Sequence, residues 1–398
     1  MPGPRTSFAT VKALQCLNGG LLCEVLGKFP DYIKDRKLKL PALPTQDNLD
    51  YEAIRAACMT GDMPAELGDV LSFVSILGTT AGWERIQEEA VSQNKRFGFP
   101  MEGLTHADLV MKVWLWDWPK NKSFLEEANV RARVHSRSSY MYFMPFKDLR
   151  RKYRAPTDVV MDDLRQELQA YFLAAGLGKG SNVVKIECVN EVWFLIRYPG
   201  RVKRDMEFDD DGQSLSHLYK PERCDAVVYN KFYGDLRMNA KRDKDRTKYR
   251  ILFGHALFDS ANVFSPNKRV VTLEPLKGKC LDIFNCADIE GLAEIAPVEV
   301  GYHHLGNPGR EQVWHADKDT TLLMFNKHAP WLLPSDTDSV RYAIFRYRLR
   351  NRAKYELLTL HEGNTVTYER DGESVVLEDW VRSRTFFRNI LPRITTWT

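Results

Sequence analysis

The sequence predicts an α+β protein, with a helical N-terminal lobe followed by a strand-rich, mainly antiparallel C-terminal lobe that contains one or two helices. Two observations lead to this prediction. Up to Gly176 the apolar residues recur at helical spacing between start and stop signals, whereas from Ser181 onward they fall in short runs rich in β-branched and aromatic residues. The strand runs follow one another as hairpins, which favours α+β over a doubly wound parallel sheet.

The helical lobe is predicted most firmly where caps and apolar spacing agree. Asp50 is expected to cap one helix, and Thr105 together with Asp108 marks the start of another. The strongest amphipathic pattern covers residues 158–175 and ends at Gly176, a residue type that favours helix termination.

The strand-rich lobe is expected to contain a hairpin, one long helix and one short helix among its strands. The hairpin pairs 225–229 with 235–239, and the helices cover 243–258 and 375–384. The remaining strand runs are rich in valine, isoleucine and aromatic residues and lie at 183–187, 192–198, 201–208, 269–273, 298–302, 320–325, 340–349, 355–360 and 365–368.

A chain of 398 residues exceeds the size at which one hydrophobic core keeps growing, so at least two domains are expected. We assign residues 1–155 to a helical domain that contacts other proteins. Residues 156–398 form a strand-rich domain with a basic surface, and any further boundary is expected near 295–300.

The amino-acid composition limits the cellular compartment and the classes of partner that are expected. The seven cysteines are odd in number and include no CxxC pair, which is typical of reduced thiols in a cytoplasmic protein. No run of about 18 apolar residues occurs, so no membrane partner is expected. The formal net charge of +4 is too small to indicate nucleic-acid binding, so any such prediction depends on local clusters of charge.

Two clusters of basic residues are candidates for contact with phosphate. In the first, even-numbered cations alternate with Phe345, Tyr347 and Leu349, so a strand would place all the cations on one face. Nearby aromatic rings could stack on bases. The first cluster comprises Arg346, Arg348, Arg350, Arg352 and Lys354, the second Lys241, Arg242 and Lys244, and the aromatic residues are Tyr229, Phe232, Tyr233, Tyr342 and Tyr347.

The competing interpretation of the first cluster is a solvated sheet face whose charge prevents edge-to-edge aggregation. An acidic protein partner is a third alternative. The sequence leaves these alternatives open, as it does the choice between DNA and RNA.

A catalytic alternative rests on Asp225, Asp235 and Arg237. Their placement at the start of two paired strands resembles the layout of restriction-endonuclease-like nucleases, in which two carboxylates hold Mg²⁺ and a lysine helps to activate water. Here arginine replaces the lysine, and arginine cannot lose its proton. Mg²⁺ is expected as a cofactor only under this alternative, and none is expected otherwise.

Two other motifs contain residue types that can carry chemistry but lack the necessary context. The glycine-rich segment 176–181 joins a helix to a strand, the reverse of a phosphate-binding loop. His315, Asp317 and His328 are the residue types of an iron site, but the second histidine follows too closely for a barrel site.

The function expected from these observations is that of a non-enzymatic accessory or adaptor subunit that contacts DNA or RNA through the basic strand and also binds other proteins. By analogy alone, such a chain would suit a bacterial nucleic-acid-handling or phage-defence assembly. The alternatives are the metal-dependent nuclease and a subunit that makes only protein contacts.

Overall fold

The computed structural model describes residues 10–45, 48–59, 63–118, 123–135, 138–208, 214–277, 281–303, 311–315, 334, 338–369 and 375–388. The chain divides into two compact units, Met1–His135 and Ser136–Thr398. Helices dominate the first unit and strands the second, which confirms the α+β class.

The described part of the first unit consists of helices joined by short connections. Two of the predicted starts are confirmed: the Asp50 side chain accepts a hydrogen bond from the Ala53 amide at 3.0 Å, and Thr105 forms a capping box with Asp108. The helices are α1 (Val11–Gln15), α2 (Gly19–Leu26), α3 (Pro30–Asp35), α4 (Tyr51–Cys58), α5 (Ala65–Leu77), α6 (Thr80–Ser92), α7 (His106–Asp117) and α8 (Ser123–His135).

A pair of carboxyl groups lies where α6 packs against α8. Gln93 donates hydrogen bonds of 2.7 Å to both Glu89 and Glu127, and Arg131 forms an ion pair with Glu89. Burial and the neighbouring carboxylate of Glu89 raise the pKa of Glu127 to about 7. Burial opposes ionisation of Glu89, but its hydrogen bonds with Glu127, Arg131 and Gln93 lower its pKa. Glu89 therefore carries the charge that the pair holds at neutral pH.

We expect Glu127→Gln to flatten the pH dependence of unfolding between pH 5 and pH 8. Because the pKa of Glu127 is raised in the folded protein, its stabilising effect is complete below about pH 4.5 and is lost as the pH rises through about 7. Solvent screening limits the effect to about 1–2 kcal/mol. Urea denaturation followed by circular dichroism at the two pH values measures it. The exposed neighbour Glu126 provides the control, and equal pH dependence in E127Q and E126Q would contradict the prediction.

The second unit is built on a ten-stranded sheet in which every pairing is antiparallel, in the order β2-β3-β6-β7-β1-β12-β11-β10-β8-β9, and on the separate hairpin β4-β5. The strands are β1 (Ser139–Phe143), β2 (Asn182–Glu187), β3 (Glu191–Pro199), β4 (Lys203–Phe208), β5 (Ser214–Tyr219), β6 (Glu222–Asn230), β7 (Leu236–Met238), β8 (Leu292–His303), β9 (Glu311–His315), β10 (Ser339–Leu349), β11 (Glu356–His361) and β12 (Thr365–Thr367). The described helices of this unit are α9 (Asp158–Ala174), α10 (Asp243–Phe258) and α11 (Val375–Ser383).

Helices pack on both faces of the sheet. On one face, which we call face A, Phe172 of α9 and Phe253 of α10 belong to one core with residues of β3, β6 and β7. On the opposite face, face B, the Trp380 ring of α11 lies 5.4 Å from the Phe345 ring of β10. Cross-strand partners share a face, so the register fixes the face of every residue in the sheet.

Several segments differ from the sequence prediction. The strands β5 and β9 fall outside the predicted strand runs. Residues 139–143 form β1, a strand inside the region that the spacing predicted as helical, and β1 joins β7 to β12. The run 269–273 forms no strand. Val271 makes isolated bridges to Gly363 and Phe387, and the Val270 and Thr272 amides donate to the Gly363 and Phe386 carbonyls. The predicted strand 320–325 lies outside the described residues.

Candidate nucleic-acid interface

The first basic cluster begins on β10, where the predicted alternation is confirmed. Phe345, Tyr347 and Leu349 are buried on face B, and Arg346 and Arg348 are half-exposed on face A. Two guanidinium groups therefore lie on the same face of one strand, with apolar residues packed beneath them.

The strand ends at Leu349, so the remaining cations do not continue the row. The Arg352 amide donates to the Leu349 carbonyl at 3.1 Å, which closes the turn between β10 and β11. Arg350 and Lys354 are exposed in this connection, and Arg352 forms an ion pair of 3.0 Å with Glu356. The prediction that all four arginines project from one face of one strand is therefore wrong for Arg350 and Arg352.

Tyr355 organises the two arginines on face A. Its ring lies 4.7 Å from the Arg346 guanidinium carbon and 5.6 Å from that of Arg348. The Tyr355 hydroxyl donates to Glu294 at 2.7 Å, and Arg348 lies 3.9 Å from the same carboxylate. One acidic group therefore offsets part of the positive charge of this pair.

The second basic cluster surrounds the start of α10 and is partly neutralised. Arg242 donates two hydrogen bonds, of 2.7 and 2.9 Å, to Asp245, and Arg246 pairs with Asp243. Lys241 and Lys244 are exposed, and within the described residues neither forms an ion pair. α10 shares a core with β6, and β10 is five strand positions further along the sheet, so these two strands lie about 24 Å apart.

Most of the aromatic rings that the sequence offered for base stacking are inside the protein. Tyr229 and Tyr347 are wholly buried, and Tyr233 packs beneath the Arg382 guanidinium group at 3.8 Å. Phe232 and Tyr342 are half-exposed. Of the two half-exposed residues, Tyr342 lies on face A with Arg346.

Asp225 is held in the core of face A by two tyrosines. Its carboxylate accepts hydrogen bonds from the Tyr249 hydroxyl at 2.8 Å and from the Tyr198 hydroxyl at 3.1 Å. Only 5% of the residue is exposed. Burial and the charge of Asp225 raise the pKa of both tyrosines, so they act as hydrogen-bond donors at any physiological pH.

Asp235 and Arg237 lie on face B, on the opposite side of the sheet from Asp225. The pairing of Val228 with Arg237 sets this register, and Arg382 of α11 donates to Asp235 at 2.8 Å. Two carboxylates separated by a sheet cannot hold one metal ion. Among the residues that the structure describes, no group of three or more histidine, cysteine or acidic side chains converges on a metal position. The geometry of the nuclease alternative is therefore wrong.

Arg237 instead belongs to a buried charge cluster that the sequence analysis did not identify. Its guanidinium group donates to Glu378 and Glu191, each at 2.9 Å, and stacks on Trp193 at 5.3 Å. Burial would lower the pKa of Arg237, but the two carboxylates raise it well above its usual value. We call Arg237, Glu191, Glu378, Asp235 and Arg382 the face B charge cluster. It fixes α11 to the sheet by ion pairs.

The two remaining motifs form no described site. The glycine-rich segment closes onto Gln169, whose side-chain oxygen accepts hydrogen bonds from the Gly180 and Ser181 amides, so it is a turn after α9. His315 lies within 3.1 Å of Glu299. Asp317 and His328 lie outside the described residues.

Comparison with protein-family models and with curated proteins finds no match for this chain. Within the described ranges, every helix is too short or too polar to cross a membrane.

Proposed function

We propose that this protein is a non-enzymatic accessory or adaptor subunit that contacts nucleic acid through the hairpin basic cluster, defined as Arg346, Arg348, Arg350, Arg352 and Lys354. The observation that supports it is the position of two guanidinium groups on face A of β10, with exposed cations in the adjoining turn. Such a concentration of cations suits a phosphate backbone. A nucleic-acid-handling or phage-defence assembly remains the predicted setting, with other proteins as partners.

The distribution of acidic residues supports a small contact area. Glu356 neutralises Arg352, and Glu294 lies 3.9 Å from Arg348. Arg350 and Lys354 are exposed and Arg346 and Arg348 are half-exposed, so we expect three to four phosphate contacts at this hairpin. The lysines at the start of α10 add a weaker second contact.

The experiment measures how affinity depends on salt. We expect the variant R346Q/R348Q/R350Q/K354Q to bind a fluorescein-labelled oligonucleotide at least tenfold more weakly near 0.1 M salt. Each lost cation removes one phosphate contact and the release of counterions from the nucleic acid that accompanies it. The slope of log affinity against log salt should fall by about 3 to 4. Fluorescence anisotropy between about 50 and 200 mM KCl measures both quantities.

The control removes the same charge elsewhere. Lys12, Lys28, Lys34 and Lys39 are exposed in the helical unit, and changing all four to glutamine also brings the formal net charge from +4 to zero. This variant should keep most of the affinity and the slope. Equal losses in the two variants would mean that bulk charge drives binding, and an unchanged slope in the hairpin variant would leave the cluster as surface charge only.

A further inference from the structure

Among the described residues, the helices on face A pack over one end of the ten-stranded sheet. Along β3, β6 and β7 most face A residues are buried in the core that α9 and α10 share, as is Val183 of β2. Along β10 and β11 the face A residues are half-exposed or exposed, and we call this surface the open face. Its residues are Tyr342, Ile344, Arg346 and Arg348 on β10 and Leu357, Thr359 and His361 on β11.

Tyr342 is held flat on the open face. It pairs with Gly301 of β8, and a Cβ atom at position 301 would lie only 2.3 Å from a ring carbon of Tyr342. One side of the ring therefore covers the glycine backbone, as aromatic residues do opposite glycine in a sheet. The Tyr342 hydroxyl donates to Glu299 at 2.7 Å, which fixes the orientation of the ring. The residue as a whole is half-exposed.

Apolar and cationic groups adjoin this ring. His361 is exposed, with its ring centroid 6.0 Å from that of Tyr342. Leu357 exposes 57% of its surface. Arg346 lies four residues along β10 from Tyr342, about 13 Å away, and stacks on Tyr355. The open face therefore offers rings and apolar side chains beside guanidinium groups.

These groups match a single strand better than a duplex. Stacking on an aromatic platform needs the face of an unpaired base, and positive charge beside the platform follows the backbone. A duplex hides its base faces, so it would use only the cations. An acidic protein segment would likewise leave the Tyr342 ring unused.

We propose that the open face binds single-stranded nucleic acid, with a base stacked on Tyr342 beside His361 and the neighbouring phosphates on Arg346 and Arg348. The inference rests on the proposed function, because it assigns the class of nucleic acid that the hairpin basic cluster contacts. No base-specific contact is required, since every base presents a face that can stack.

The test compares one labelled oligonucleotide of about 15 nucleotides as single-stranded DNA, as single-stranded RNA and as a duplex. We expect both single strands to bind more tightly than the duplex. Tyr342→Leu should weaken single-strand binding by about 5- to 150-fold and leave duplex binding unchanged, because it removes stacking alone. Tyr342→Phe keeps the ring and should keep most of the affinity.

Two further measurements separate failure of this inference from failure of the proposed function. His361→Ala alters an exposed side chain and should also weaken single-strand binding, which guards against misfolding of Y342L. Equal affinity for duplex and single strand, with no effect of either variant, would overturn the stacking site and leave the proposed function standing. Binding to polyglutamate but to no oligonucleotide would overturn both.

Discussion

Replacing Arg237 by methionine is expected to lower the free energy of unfolding by about 3 to 5 kcal/mol, because it removes the cation from the buried carboxylate of Glu378 and from the half-buried carboxylate of Glu191. Arg237 donates to Glu191 and to Glu378, and only 3% of the residue is exposed. Methionine fills a similar volume, so loss of the charge rather than a cavity dominates the effect. Urea denaturation of the full chain, followed by circular dichroism, measures the change.

An exposed ion pair in the same sheet is the matched control for this prediction. Arg197 forms an ion pair of 2.6 Å with Glu222, and the two side chains are 39% and 40% exposed. Arg197→Met should therefore cost less than about 1 kcal/mol. Adding Glu191→Gln and Glu378→Gln to Arg237→Met should restore part of the lost stability, because the unpaired charges disappear with them. Equal losses for R237M and R197M would show that water reaches the face B charge cluster.

The structure confirms most of the elements that local signals in the sequence predicted. Residues 243–258 form the predicted helix, and residues 225–229 and 235–239 form the predicted hairpin, because apolar spacing directly reflects which side of an element is buried. The short strand β1 lacked such a signal. It is an inner strand of the sheet whose pairing partners are distant in sequence, β7 and β12.

The failure of the nuclease geometry has a specific cause. The loop between the paired strands is long enough to allow several registers, and a slip of one residue moves every side chain to the other face of the sheet. The observed register pairs Val228 with Arg237, which places Asp235 on face B and Asp225 on face A. Residue types and spacing alone could not determine this difference.

The candidate interface was predicted only in part, because the alternation of residue types does not show where the chain turns or which strands become neighbours. The alternation of basic and apolar residues predicts the strand correctly up to Leu349. The basic residues of the pattern continue to Arg352, although the chain has already turned there. The placement of Tyr342 over Gly301 depends on β8 and β10 becoming neighbours, and 35 residues separate these strands along the chain. The face B charge cluster was missed because a glutamate and an arginine four positions apart, here Glu378 and Arg382, usually mark an exposed helix face.

The second large effect is expected at Trp380, which anchors α11 beneath β10. The ring is wholly buried, with centroids 5.4 Å from Phe345 and 5.2 Å from Phe386, and its Nε1 donates to the Ile283 carbonyl at 3.1 Å. Trp380→Ala should lower the free energy of unfolding by about 3 to 5 kcal/mol, because it combines lost burial with a cavity. Leu357→Ala, at a residue with 57% exposure, should cost less than about 1 kcal/mol.

The two variants should affect nucleic-acid binding in the opposite order. Trp380 packs on face B, behind the sheet from Arg346 and Arg348, so the folded fraction of W380A should retain its affinity at a temperature where it remains folded. Leu357 lies on the open face opposite Arg346, so L357A should weaken binding of a single strand while leaving stability nearly unchanged. Anisotropy titrations beside urea denaturation curves measure both quantities on the same samples. Loss of affinity in folded W380A would place the binding surface on face B and contradict the assignment to β10 and β11.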